Sequence, residues 1–288
     1  MGEPGLIERI GRWIDHWIGQ ADPAGPPPIL GIAGSQGSGK STLAHEIAEQ
    51  FGGATLSLDD VYLTKAERAD LAGRAHPLFA TRGPPGTHDL GLLQRLLDRL
   101  SSAGPGDRTP LPRFDKLADD RAPEADWPVV KGRTKVIVLE GWCLGATPQA
   151  AMALVAPINR LEAEQDADGL WRGAINEALA RDYAPLRARL DALVFLKAPA
   201  FDVVLDWRCE QEAGLMKRDA VPQERRAALA VFVQHYERLT RYMIEGGVVA
   251  DLVVELDRDR RVLGLEGADF LATTGGVAPE PASRVIAP

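Results

Sequence analysis

The residues Gly34-Ser35-Gln36-Gly37-Ser38-Gly39-Lys40-Ser41 bring glycine, hydroxyl and lysine together in the spacing G-x-x-x-x-G-K-[ST]. An apolar run, Ile29 to Ala33, precedes them, and a helix-forming segment, Thr42 to Gln50, follows. Glycines at these positions let the backbone curl until several N–H groups converge on one anion, and the helix that follows adds the positive end of its dipole. A lysine at the end of such a curl bridges the β- and γ-phosphates of ATP, and the next hydroxyl holds Mg2+. Gly34 to Ser41 is therefore expected to bind Mg-ATP, with Lys40 on the phosphates, Ser41 on the metal and the Thr42 hydroxyl available to a phosphate oxygen. A glycine-rich turn carrying an exposed lysine is the plain alternative, and it leaves the strand-to-helix setting unexplained.

Acidic residues supply the second half of the chemistry. Ser57-Leu58-Asp59-Asp60-Val61-Tyr62 places two carboxylates at the end of an apolar run, Ala54 to Leu58. In open α/β sheets ligands gather at that strand edge. A carboxylate there can accept the proton of an attacking hydroxyl, a contribution of about 10²- to 10⁴-fold. Asp59 is expected as this catalytic base, with Asp60 beside the acceptor; a solvated turn that ends the strand would also account for the pair. Val136 to Leu139 is a further apolar run, closed by Glu140-Gly141-Trp142. Glu140 fits a carboxylate that holds Mg2+ directly or through a bound water. Neither an Asn-Lys-x-Asp guanine motif nor an LSGGQ signature occurs, so a GTPase switch and a transporter ATPase are set aside. A kinase or a motor-like ATPase remains, and acids after the second and third strands favour the kinase.

Five short apolar runs can carry these residues: Ile29 to Ala33, Ala54 to Leu58, Val136 to Leu139, Ala192 to Leu196 and Leu252 to Leu256. Their near-continuous hydrophobicity predicts parallel strands buried on both faces. Helical segments between them complete an α/β fold of the P-loop NTPase type, a five-stranded, mostly parallel sheet with helices on both faces. Leu92, Leu93, Leu96, Leu97 and Leu100 form one apolar helix stripe, and Leu229, Phe232, Tyr236, Leu239 and Met243 another; both read as core. Residues 1–23 read as an amphipathic helix with its linker, because Leu6, Ile7, Ile10, Trp13, Ile14, Trp17 and Ile18 recur at helical spacing ahead of a proline-rich stretch. Its polar face is not lysine- and arginine-rich, which points to packing on the domain and away from a membrane surface. The domain proper spans 24–272, and the tail 273–288 is expected to be disordered. Within the domain, 62–133 has one clear helix among many Pro, Gly and Asp residues, more irregular chain than compaction needs, and is the expected substrate-binding region.

Taken together, the segments already quoted, with Arg82-Gly-Pro-Pro-Gly-Thr-His-Asp89, Pro112-Arg-Phe-Asp-Lys116, Ala125-Asp-Trp-Pro128 and Trp207-Arg-Cys-Glu-Gln-Glu212, resemble the branch of P-loop kinases that includes uridine kinase, phosphoribulokinase and pantothenate kinase. The resemblance spans roughly Ile29 to Leu256 and is strongest to the D-glycerate 3-kinases of plants and fungi. It implies transfer from ATP to a hydroxyl of D-glycerate, giving 3-phosphoglycerate. It places Asp59 on the catalytic carboxylate, Tyr62 and Asp89 on substrate-contacting positions, and Glu140 on the Mg-associated acid. His88 is grouped with the substrate residues as the neighbour of Asp89, which could instead cap the helix Leu92 to Leu100. Glycerate carries a carboxylate, so its site needs a cation; Arg82, Arg113 and Lys116 are the available donors. Phe114 stands where similar nucleoside kinases have a tyrosine, which argues against uridine. Residues 201–220 resemble the lid whose arginines close over ATP, with Arg208 as the catalytic one; a surface charge paired with Glu212 is the other reading. A kinase for a sugar phosphate, pantothenate or nucleoside, and an ATP-binding regulator, are the alternatives.

Bulk properties set the boundaries. A formal net charge of -8 argues against nucleic acid or an anionic membrane as the main partner, so any anion must be held by locally placed donors. Cys143 and Cys209 fit neither a disulfide framework nor a zinc site. With Glu3, Glu8, Arg9, Arg12 and Asp15 interrupting every apolar run near Met1, a cytoplasmic enzyme with a small-molecule substrate is expected; oligomeric state is left open.

Overall fold

The computed structural model of the chain describes residues 6–267. All five predicted strands form: β1 (Ile29–Gly34), β2 (Ala54–Ser57), β3 (Ile137–Glu140), β4 (Ala192–Lys197) and β5 (Leu252–Leu256). They are mutually parallel, and a sixth strand, β6 (Val262–Glu266), adds to the edge antiparallel to β5. The order is β6-β5-β4-β1-β3-β2, so β1 lies inside the sheet. β6 was not anticipated because its side chains are half-buried or exposed, leaving no dense apolar run to read.

Parallel pairing buries both faces, and alternation along each strand sorts the side chains. Ile137 and Leu139 join one apolar cluster and Val136 and Val138 the other. The first face is covered by α4 (Leu90–Ser102), α5 (Leu170–Arg181) and α8 (Gln234–Ile244). The second is covered by α1 (Leu6–Gly19), α2 (Lys40–Phe51) and α6 (Val203–Leu215). Two more helices are α3 (Lys65–Arg74) and α7 (Gln223–Phe232), and short helical turns cover Arg160–Gln165 and Ala184–Arg187. α1 packs into the domain through Ile10, Trp13 and Ile14, all buried. None of the described helices is long and apolar enough to cross a membrane. Both cysteines are free and buried. The segment expected to be disordered, 273–288, lies outside the described residues.

The 62–133 tract holds more structure than its sequence suggests. α3 is a full helix whose one buried side chain is Arg68. It lacks an apolar stripe, so hydrophobic periodicity cannot reveal it; its start is fixed by a capping box between Thr64 and Glu67. Two short hairpins follow, pairing Arg108–Pro110 with Val129–Lys131 and Phe114–Asp115 with Asp120–Arg121. The stripe from Leu229 to Met243 is also divided, at Val233, between α7 and α8.

Two substitutions test this packing. Trp13→Ala should cost about 3–5 kcal/mol in chemical denaturation, because Trp13 is 3% exposed within the second apolar cluster. Asp89 accepts a hydrogen bond from the Leu92 N–H at 2.8 Å and caps α4. Asp89→Ala should therefore lower stability by about 1 kcal/mol, and Asp89→Ser should restore most of it.

Candidate functional site

The carboxyl ends of β1, β2 and β3 open into one cleft of about 270 Å³. Parallel register sets the first contacts: Ser57 is paired with Glu140, and Glu140 with Ile32 two residues before the phosphate loop. Ser57 Oγ consequently donates to Glu140 Oε1 at 2.7 Å, and Ser41 Oγ, on the first turn of α2, donates to the same oxygen at 3.0 Å. Ser57 was not singled out as a site residue; its position two residues before Asp59 was the signal available.

Glycine is required in the loop at Gly37 and Gly39. Gly37 has φ 76°, and a Cβ there would fall 2.6 Å from Trp207 Cβ, so α6 presses directly on the loop. Gly39 has φ 96° and starts α2. Lys40 is buried and donates to the Ser35 carbonyl at 2.9 Å. Burial lowers its pKa, while the charges of Glu140 and Asp59 oppose that shift. Ser35 Oγ, Gln36 Oε1 and Ser38 Oγ are buried without a hydrogen-bond partner. Unpaired polar atoms are costly inside a protein, and here they surround a loop whose N–H groups suit phosphate oxygens. The residues fit ATP. They also fit Mg2+: octahedral ligands at about 2.1 Å stand about 3 Å apart along an edge, and the Ser41 and Glu140 oxygens are 3.0 Å apart. Thr42 is exposed and does not line the cleft.

Ser57 also shapes the next turn. Its hydroxyl accepts from the Asp59 N–H at 3.2 Å and begins a 3-10 turn, Leu58–Val61, that carries both acids. Asp59 Oδ1 accepts from the Tyr62 hydroxyl at 2.6 Å and Oδ2 from Lys116 Nζ at 2.8 Å. Burial raises the Asp59 pKa, yet the Lys116 charge and hydrogen bond, the Tyr62 hydroxyl and Lys40 together hold it well below the usual carboxylate range. Asp60 is engaged differently: Arg113 Nη1 donates to it at 2.5 Å and the Phe114 N–H at 3.1 Å, with burial the dominant influence raising its pKa. Glu140 is likewise raised by burial, against the pull of Lys40.

Arg82 lines the cleft and is ion-paired with Asp119. Arg208, on α6, also lines it; Nη2 approaches Glu212 at 3.4 Å, Nη1 donates to Gln211 at 2.7 Å, and its Nε is buried without a partner. Two expected substrate residues do not reach the cleft. His88 is buried behind Tyr62, its ring stacked 4.8 Å away and bonded to the Tyr183 hydroxyl, and burial lowers its pKa to about 3. Asp89 is turned to α4 and Arg121. His88 supports the wall from behind Tyr62, with which it pairs along the backbone, and Asp89 takes the helix-capping place that the sequence allowed as its other reading. Trp142 and Tyr236, read as strand end and helix core, do line the cleft, with ring centroids 4.9 Å apart. Tyr236 lies far along the chain in an ordinary apolar stripe, so sequence carried no sign of it.

Comparisons with known proteins agree with this geometry. The profile of the Phosphoribulokinase / Uridine kinase family matches residues 29–147, which hold the phosphate loop, both acidic segments and the hairpins. The uncharacterized kinase mug58 of Schizosaccharomyces pombe is 32% identical over 262 residues, covering 86% of this chain and 90% of that protein. The chloroplastic D-glycerate 3-kinase of Arabidopsis thaliana is 33% identical over 202 residues, 66% of this chain and 42% of that longer protein. Among solved structures, D-glycerate 3-kinase from Cryptococcus neoformans superposes with a TM-score of 0.74 at 24% identity, over 92% of this chain and 100% of that one, a likeness of fold. With the phosphate loop, the strand-end acids and a kinase relative matched over nearly its whole length, the chain belongs to the phosphoribulokinase and uridine kinase family of P-loop kinases.

Proposed function

We propose that the chain phosphorylates D-glycerate from Mg-ATP, giving 3-phosphoglycerate. The observation that carries the reading is that a carboxylate kept ionised, Asp59, and the phosphate-loop lysine, Lys40, line one small cleft. Its volume of about 270 Å³ lies near the lower end of ligand sites and suits a compact acceptor beside a triphosphate tail. Two D-glycerate 3-kinases among the relatives support the acceptor.

In this reading the amides of Gly34 to Ser41 and the Lys40 ammonium hold the β- and γ-phosphates, and the cost of burying Lys40 is offset by the charge it meets. Ser41 and Glu140 would hold Mg2+, which supplies charge neutralisation at the phosphates. Asp59 takes the proton of the acceptor hydroxyl as that oxygen attacks the γ-phosphorus in line with the departing ADP. Tyr62 holds Asp59 through Oδ1, and Lys116, the exposed partner on Oδ2, is free to turn as the acceptor arrives. Arg208, which lines the cleft from α6, meets the transferring phosphoryl group. Arg113 stays with Asp60 and fixes the Phe114 hairpin at the cleft's edge. A cytoplasmic setting, with no nucleic-acid or membrane partner, goes with the acidic net charge and the two buried free thiols.

A coupled ADP-release assay across D-glycerate, uridine, pantothenate and ribulose 5-phosphate tests the acceptor. D-glycerate should raise turnover well above background; if another of these does so and glycerate does not, the assignment is wrong. Lys116→Met tests the state of Asp59. Without the lysine charge the raising effect of burial has less to oppose it, so the Asp59 pKa should climb. A base works when ionised, so the acid limb of kcat/KM should move to higher pH in the variant; an unmoved limb would argue against Asp59 as the base.

A further inference from the structure

Four of the cleft's cations, Arg82, Arg113, Lys116 and Arg208, have carboxylate partners, but the partnerships are unequal. Arg113 is matched one-to-one with Asp60, and Lys116 with Asp59. Arg82 shares its partner: Asp119 takes Arg82 Nη1 on Oδ1 and Arg68 Nη2 on Oδ2, the latter at 2.7 Å. Two guanidinium groups share the one carboxylate of Asp119, while Asp120 also faces Arg68, so Arg82 is the less fully neutralised of the two. Arg68 cannot present its charge to a ligand, being 1% exposed and also bonded to the carbonyls of Leu63, Ala80 and Asp119. Arg82 can, because it lines the cleft and makes no other side-chain hydrogen bond among the described residues.

Arg82 is also held still from every side. The Tyr236 hydroxyl donates to its carbonyl at 3.0 Å, and the Trp142 indole donates to the carbonyl of Gly83 at 2.9 Å. Gly83 has φ 121°, and a Cβ there would lie 1.8 Å from the Tyr236 oxygen, so this strapping tolerates glycine alone. The guanidinium rests 5.4 Å from the Phe114 ring centroid, with Arg68 at 5.5 Å from the same ring. Asp119 is fixed in turn, at a left-handed φ of 55° in the hairpin turn, by the side chain and carbonyl contacts of Arg68. An arginine whose side chain and backbone are both anchored has surrendered its rotamer freedom before any ligand arrives.

We propose that Arg82 makes the charge contact with the acceptor's carboxylate and that Asp119, itself set by Arg68, is the positioning residue that orients it. The inference rests on the reading that the acceptor is a small anionic alcohol. It separates Arg82 from Arg113 and Lys116, which the sequence left as equal candidates, and it assigns a task to two residues, Asp119 and Arg68, outside the motifs.

The test is a double-mutant cycle on D-glycerate affinity, measured by titration calorimetry in the presence of Mg-ADP, with kcat, the KM for each substrate and the unfolding midpoint determined alongside. Arg82→Met should weaken glycerate binding roughly tenfold to a hundredfold, the range for losing a charge-assisted hydrogen bond. Asp119→Ala should weaken it by a smaller factor, raising the glycerate KM while leaving the ATP KM in place. The double variant should be no weaker than Arg82→Met alone, because Asp119 acts through Arg82. Asp119→Asn, which keeps shape and acceptor oxygen, guards against a folding defect and should fall between wild type and Asp119→Ala. Independent, additive losses, equal rises in both KM values, or full affinity in Arg82→Met would each overturn the proposal. Should wild type neither bind nor phosphorylate glycerate, the acceptor assignment fails separately. The cycle is then run with whichever carboxylate- or phosphate-bearing alcohol stimulates ADP release; stimulation by uncharged alcohols alone, or by none, overturns the Arg82 role as well.

Discussion

Charge confined to a small, partly closed space is the constraint on which the rest of this structure depends. Five cationic side chains, Lys40, Arg82, Arg113, Lys116 and Arg208, line the cleft with three carboxylates, Asp59, Asp60 and Glu140, in a chain whose formal net charge is -8. Burial opposes the charges of Lys40, Asp59, Asp60 and Glu140, which persist there because opposite charges stand close by. The fold's answer is to let the ends of neighbouring strands bring the opposites together. Register puts Ser57 beside Glu140, and the turn after Ser57 then carries Asp59 toward Lys116. The local excess of positive charge is what an acidic protein needs to attract a nucleotide and an anionic acceptor.

The same device recurs on the two sides of the cleft. Arg82 shares Asp119 with Arg68, and Arg208 shares the buried Glu212 with Arg225 of α7. In both cases one carboxylate orients an arginine that faces the ligands and a second that does not line the cleft. Sharing leaves the facing arginine aimed yet incompletely neutralised, the condition under which a preorganised donor helps most when charge develops on a phosphoryl group.

How much of this could be read from sequence follows from what each residue does. The phosphate loop and the strands announce themselves because their demands are local: glycine where φ is positive or Trp207 presses close, and dense apolar runs where both faces are covered. Asp59 and Glu140 were legible because strand ends place them. α3 was not, since its inward-facing residue is an arginine that replaces an apolar stripe with a hydrogen-bond network. For the same reason Asp119 carries no signature: its partners lie 37 and 51 residues away along the chain. For His88 and Asp89 the sequence left substrate contact and helix capping both open, because motif membership does not say which side of a turn a side chain takes. Backbone pairing between Tyr62 and His88 decides that.

Pairing within the empty cleft also has a consequence for binding. An acceptor hydroxyl that comes to Asp59 Oδ2 shares that oxygen with Lys116, and Tyr62 is buried while Lys116 is 44% exposed on a hairpin turn. The lysine is thus the member that can yield at low cost, since an exposed ammonium regains water as it departs. Its movement would bare Asp59 at the moment the acceptor supplies a replacement hydrogen bond, and its charge, still nearby, would keep the carboxylate ionised. Phe114, two residues before Lys116, is clamped by Tyr62, Arg68 and Arg82, so the hairpin bends beyond its anchored end and the ring that supports Arg82 need not move.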